Sequence, residues 1–283
     1  MRLDGRRESG NVEDRRGKGP GKMSLGIIGT IVVGLIIWFT GGNPMEFVSQ
    51  QISTGSTATK NYTPTSEEEE AASFAKRILA GTEDVWTEVF SKNGITYKPP
   101  RMVLFSGATT SGCGNASSTT GPFYCPADQT VYIDLSFFDQ MKNQLGAGGD
   151  FAYAYVIAHE VGHHVQYLLG TLDKVHNQQR QVSEKESNQL SVRLELQADF
   201  YAGVWAFYDN NKFNSLEDGD IEEGLNAATQ IGDDRLQMES QGYTVPDAFN
   251  HGTSAQRTRW LKKGMQTGDI SKGDTFSVSY SDL

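Results

Sequence analysis

Ala158-His159-Glu160-Val161-Gly162-His163-His164 is the stretch that decides the fold, because it sets an HExxH pattern inside an amphipathic run. On a helix of about 3.6 residues per turn, His159 and His163 stack one turn apart and Glu160 sits beside them. Both imidazoles then reach one tetrahedral Zn²⁺, and the glutamate serves as base for a metal-activated water. The surrounding sequence supports a helix from Phe151 to about Leu169, with Asp150 as its cap and Gly170 as its stop. The chain has five histidines, and three of them fall within six residues here. His164 is rotated about 140° from His159 and reads as a packing or hydrogen-bonding residue rather than a ligand.

Two histidines leave a zinc site incomplete, so a third ligand is expected on another element. Glu195 is the best candidate. It lies in Arg193-Leu194-Glu195-Leu196-Gln197-Ala198-Asp199-Phe200-Tyr201-Ala202-Gly203, within a helical pattern that starts at a Ser183/Glu186 capping box. Glu195 and Asp199 share a face, so Glu195 is expected to bind the metal while Asp199 accepts the free ring N–H of a zinc-bound histidine. A third segment, His251-Gly252-Thr253-Ser254-Ala255-Gln256-Arg257, precedes a final helix carrying Trp260 and Leu261 on its apolar side. His251 is placed to donate to the oxyanion of a tetrahedral intermediate, and Arg257 either to hold the substrate carbonyl or to brace the site.

These segments resemble a family of bacterial neutral zinc metallopeptidases that carry a single membrane anchor. The resemblance runs from the N-terminal apolar stretch to the C-terminus. It is carried by Gly121-Pro122-Phe123-Tyr124-Cys125-Pro126, by Val131-Tyr132-Ile133-Asp134, by the histidine and Glu195–Gly203 segments, by Ile231-Gly232-Asp233-Asp234-Arg235-Leu236-Gln237, and by His251 to Arg257. More distantly the chain is similar to gluzincins of the HtpX and CAAX-prenyl-protease type. There a Glu-x-x-x-Asp helix supplies the third ligand and a later histidine precedes an arginine at the same six-residue spacing. The resemblance implies the same roles for Glu195, Asp199, His251 and Arg257. This chain lacks the hydrophobic run that those integral-membrane relatives carry around HExxH, which argues against cleavage within a membrane.

The only long apolar run is Leu25 to Phe39. It is short for a bilayer core of roughly 30 Å, but uncharged flanks extend it. No small-residue cleavage site follows, so an uncleaved anchor is expected. Arg2, Arg6, Arg7, Arg15, Arg16, Lys18 and Lys22 precede the run and only Lys60 follows closely. That asymmetry predicts a cytoplasmic N-terminus and a domain outside the inner membrane, periplasmic in a Gram-negative cell. The expected organisation is a basic cytoplasmic segment over 1–23, a transmembrane anchor over 24–42, a linker over 43–65 and a peptidase domain over 66–283. Of the 25 basic and 35 acidic residues, 18 and 31 lie beyond residue 23, a net charge of −13 that makes nucleic acid an unsuitable partner.

Cys113 and Cys125 are the only cysteines and bracket a loop of Gly, Ser, Thr and Asn. An exported domain meets oxidising conditions, so a disulfide is expected in preference to free thiols or a zinc role. Ser66 is expected to cap a helix beginning at Glu67–Glu70, followed by a second short helix over Thr82–Phe90 and a strand over Met102–Phe105. Val131–Leu135 reads equally as a core strand or as an edge to which a peptide substrate adds. Asp220 opens a helical stretch running to Gln237, in which Asp233, Asp234 and Arg235 receive no chemical role.

The sequence thus predicts an α+β, zincin-like metallopeptidase on one N-terminal transmembrane helix. It would bind one zinc per chain through His159, His163 and Glu195 and hydrolyse peptide bonds of a peptide or protein substrate. The rival is a non-catalytic, zinc-stabilised binding module of the cell envelope, which has no need of a base at Glu160.

Overall fold

The computed structural model describes residues 1–17, 62–117 and 120–283. The expected anchor over 24–42 and most of the expected linker lie outside the described residues. Among the described residues no helix is long and apolar enough to cross a membrane.

The architecture is α+β and mostly helical. A four-stranded sheet has the order β1-β2-β6-β5, built from Val12–Asp14, Arg101–Phe105, Thr130–Asp134 and Phe123–Cys125. β1 and β2 are parallel, as are β2 and β6, while β5 runs antiparallel to β6. A separate antiparallel hairpin joins β3 (Ala108–Ser111) to β4 (Gly114–Ser117). The disulfide between Cys113 and Cys125 ties this hairpin's turn to the end of β5, with 5.8 Å between the α-carbons. The cysteine pairing expected from the sequence is therefore present.

Among the described residues the α-helices are α1 (Ser66–Lys92), α2 (Ser136–Asn143), α3 (Asp150–Leu168), α4 (Thr171–Gln179), α5 (Glu184–Phe213), α6 (Asp220–Gln230), α7 (Asp233–Gln241) and α8 (Ser254–Thr267). α3 carries the HExxH pattern and lies at the centre, against α1, α5, α6 and the sheet. Its residues are buried nearly all round, including Phe151, Tyr155, Ile157, Ala158, Val161 and Val165, as expected of a helix walled in by neighbours. α5 crosses α3 closely because Gly162, inside the HExxH pattern, has no side chain: an added β-carbon would sit 3.0 Å from the carbonyl oxygen of Ala198. That approach brings the Glu195–Asp199 face onto the histidine face. The opposite side of α5 meets α8 at Gly203 and Gly264, where a β-carbon on either glycine would run into the other helix's backbone.

Several local expectations change. α3 is capped by Gly149, at φ 135°, and Asp150 stands in the first turn without a capping bond. Glu223 accepts the Phe151 N–H instead, at 3.2 Å. Thr65 rather than Ser66 caps α1, through a capping box with Glu68. The helix expected to begin at Glu67–Glu70 and the second short helix expected over Thr82–Phe90 are one element of 27 residues, since no proline interrupts and the buried stripe from Ala72 to Phe90 is continuous. The Ser183/Glu186 capping box is present at the start of α5. The expected helix from Asp220 to Gln237 is broken at Ile231-Gly232, where an added β-carbon on Gly232 would collide with Ser254. Val131–Ile133 belong to β6, which is flanked by β2 and β5 and buried throughout. It is a core strand with no free edge, so substrate cannot pair with it.

At the N-terminus, β1 is the strand beside β2, in the register Val12 to Met102 and Asp14 to Leu104.

Candidate metal centre

His159 and His163 project from α3, and Glu195 from the crossing helix α5. Their ligand atoms lie within 4.8 Å of one another. Glu195 Oε2 is 3.1 Å from His159 Nε2, and its Oε1 is 3.4 Å from His163 Nε2. Zinc bonds of about 2.0–2.1 Å at tetrahedral angles imply ligand atoms roughly 3.4 Å apart, so this donor set has the spacing and the chemistry for zinc. It also favours positive charge between its atoms. Burial opposes protonation of His159, but Asp199 and Glu195 outweigh it and hold the imidazole's pKa up at about 10.

The two imidazoles are held by different groups. His159 Nδ1 faces Asp199 Oδ1 at 2.8 Å, which turns Nε2 toward Glu195. Asp199 is fully buried and is itself gripped by Tyr155, whose hydroxyl donates at 2.6 Å, and by Arg257 Nε and Nη2 at 2.9 and 3.0 Å. Burial pushes the Asp199 carboxyl up, yet Arg257 and His159 pull its pKa down to about 2. His163 Nδ1 faces Gln166 Oε1 at 2.9 Å. The amide of Gln166 has one orientation, because its Nε2 donates to Leu194 O and Gln197 Oε1. Oε1 must therefore accept from the ring, which puts the proton on Nδ1 and leaves Nε2 free to bind metal. Sequence reading missed Gln166; its place three residues after His163 on α3, one turn along the same face, is the signal that marks it.

Glu160 is 8% exposed. Burial, partly offset by His159 and His163, raises its carboxyl above the ordinary range. His251 enters from the loop before α8. Asp233, fully buried, accepts N–H bonds from Asn250, His251 and Gly252 at 2.8, 2.7 and 3.0 Å, and faces His251 Nδ1 at 3.0 Å. Burial opposes charge on His251, but Asp233 raises its pKa. Asp233 thus fixes both the loop and the ring, a role the sequence reading, which gave Asp233, Asp234 and Arg235 no chemistry, did not assign. Asp234 caps the same loop by accepting from Ser254 N and Oγ, each at 2.8 Å.

Arg257 bonds the carboxylate that faces His159 Nδ1. It is 3% exposed and committed to Asp199 and Tyr155. Arg257→Met is expected to destabilise the domain by about 3–5 kcal/mol, because it strands a buried carboxylate. Urea unfolding checks this, and a raised KM at unchanged stability would restore the substrate-holding role. His164 lies outside the site: its Nε2 donates to Lys98 O at 2.7 Å, Nδ1 accepts from Tyr124 Oη at 2.9 Å, and burial drives its pKa down to about 4.

A family model described as "Putative neutral zinc metallopeptidase" matches residues 1–276. The chain belongs to this family. An uncharacterized protein of Escherichia coli strain K12, YpfJ, is 51% identical over 289 residues, covering 99% of this chain and 100% of the relative. An uncharacterized protein of Mycobacterium tuberculosis strain H37Rv is 47% identical over 193 residues, covering 65% of this chain and 64% of its own length. No solved structure matches the chain.

Proposed function

We propose that this family member is a zincin-like peptidase that hydrolyses peptide bonds with one zinc per chain, held by His159, His163 and Glu195. The observation that carries the reading is the meeting of these three donors beside a buried Glu160 one residue from the first of them. When bound, zinc would supply Lewis acidity to the scissile carbonyl and to the attacking water. Glu160 takes the water's proton at its carboxylate and returns it to the leaving amine. Its buried position raises its proton affinity and so suits it to both transfers. Asp199 and Gln166 keep Nε2 of each histidine aimed at the metal. His251, with Nδ1 turned to Asp233, donates from Nε2 to the oxyanion. A binding module stabilised by zinc alone has no use for Glu160 in this place.

The domain acts on the outer side of the inner membrane, a reading supported by the Cys113–Cys125 disulfide, which persists in oxidising compartments. Membrane attachment rests on Leu25–Phe39. The acidic charge of the domain argues against nucleic acid as a partner. Comparing new protein N-termini in the cell envelope between wild type and Glu160→Gln tests the activity and identifies its targets. N-termini that depend on Glu160 are expected, and identical sets from cells with zinc-loaded protein would contradict the reading.

His251→Ala is expected to lower kcat and kcat/KM alike by roughly 10²- to 10³-fold at full zinc content, as for one oxyanion donor. Metal analysis beside steady-state kinetics checks this. Loss of zinc would make His251 a ligand, and near-normal kinetics would leave it a structural role.

A further inference from the structure

The arginines that read as an orientation signal in the sequence have another use in the fold. Arg2 pairs with Glu217 at 3.2 Å, Arg6 with Asp209 at 2.7 Å, Arg7 with Asp84 at 2.6 Å and Glu83 at 2.9 Å, and Arg16 with Glu69 at 3.0 Å. Each of these carboxylates belongs to α1, to α5 or to the loop that follows α5. Arg15 donates to the Thr110 carbonyl at 3.0 Å. One pair is deep: the Arg6 and Asp209 side chains are 10% and 1% exposed; Arg16 is 2% exposed but its partner Glu69 is 56% exposed. Backbone bonds run along the same arm, from Arg2 N to Ser215 O at 2.8 Å, Ser9 N to Lys76 O at 3.1 Å, Met102 N to Asn11 O at 2.8 Å and Arg15 N to Leu104 O at 2.7 Å. Leu3 joins the main core.

We propose that residues 1–17 remain docked on the domain in the membrane-attached chain, and that arm and domain therefore lie on one side of the membrane. A chain that crossed once between residues 17 and 62 would part β1 from β2. It would leave the edge of β2 without its hydrogen-bond partners and Asp209 buried without its cation, a loss that breaking even one buried ion pair makes large. The positive-inside bias counts Lys and Arg close to a membrane span and takes no account of where they pack in the folded protein. Here carboxylates of the folded domain face Arg2, Arg6, Arg7 and Arg16, while the arm's own Glu13 and Asp14 pair with Arg15 and Arg16. On this proposal the arm is a built part of the domain, in place of the expected cytoplasmic N-terminus facing an external domain.

The test uses the full chain in spheroplasts, where the native cysteines are joined and give no background. Gly10→Cys and Met238→Cys are made singly. An added β-carbon at Gly10 meets nothing within 4 Å, and Met238 is 52% exposed. A membrane-impermeant maleimide is expected to label both variants in the same step, either both before lysis or both only after it. Labelling of one before lysis and the other only after it would overturn the proposal. Glu8→Cys with Ser73→Cys, whose native side chains are 2.5 Å apart, is then treated with a short bis-maleimide in intact spheroplasts, or after lysis if the sites label only there. Mass spectrometry is expected to find the two joined, and two singly modified sites without a link would overturn the docking. Failure here leaves the peptidase reading untouched, since none of these residues reaches the metal centre. Protection of both sites before lysis would instead count against the external location.

Discussion

Glu160→Gln is expected to leave zinc bound at full occupancy while peptide hydrolysis falls by roughly 10²- to 10⁴-fold, the range that removal of a positioned general base produces. Glutamine keeps the size of the side chain and leaves His159, His163 and Glu195 unchanged. It removes only the oxygen able to take a proton from water. The replacement also takes a carboxylate out of a buried position, so the variant should fold at least as stably as wild type. Turnover measured on metal-verified protein checks this, and unchanged turnover would remove Glu160 from the mechanism.

Glu195→Ala acts on the metal itself. It withdraws the anionic donor that stands 3.1 and 3.4 Å from the two imidazoles and leaves two neutral donors on one helix. Losing a group that merely orients a ligand costs about 10- to 100-fold in affinity. Losing a ligand should exceed about 100-fold, so the variant is expected to emerge from dialysis against a mild chelator without zinc. Metal analysis with chelator competition measures it, and wild-type affinity would place the third ligand elsewhere.

The candidate metal centre was legible in the sequence because helical spacing turns residue intervals into directions: i to i+4 aligns His159 with His163, and Glu195 with Asp199. The capping box at Ser183 and the final helix behind His251 were legible for the same local reason. Groups defined by contacts distant in sequence were not. Asp233 reads as one carboxylate in a charged run, and only the break at Gly232 swings it under the His251 loop, 18 residues on. Gln166 is an ordinary amide until α5 supplies the two acceptors that fix its orientation. The interior position of β6 depends on which strands flank it, and periodicity in one strand carries no information about neighbours. The N-terminal arm shows the same limit in its charges. Arg2, Arg6, Arg7 and Arg16 count as a basic cluster until the carboxylates that face them are known.

The most direct test of the metal centre is anomalous diffraction at the zinc edge from crystals of zinc-loaded protein. The expected map has one zinc per chain, about 2.0–2.2 Å from Nε2 of His159, Nε2 of His163 and a carboxylate oxygen of Glu195, with a fourth position free of protein ligands and facing Glu160. A zinc held by four protein side chains, or one seated away from these three residues, would contradict the account.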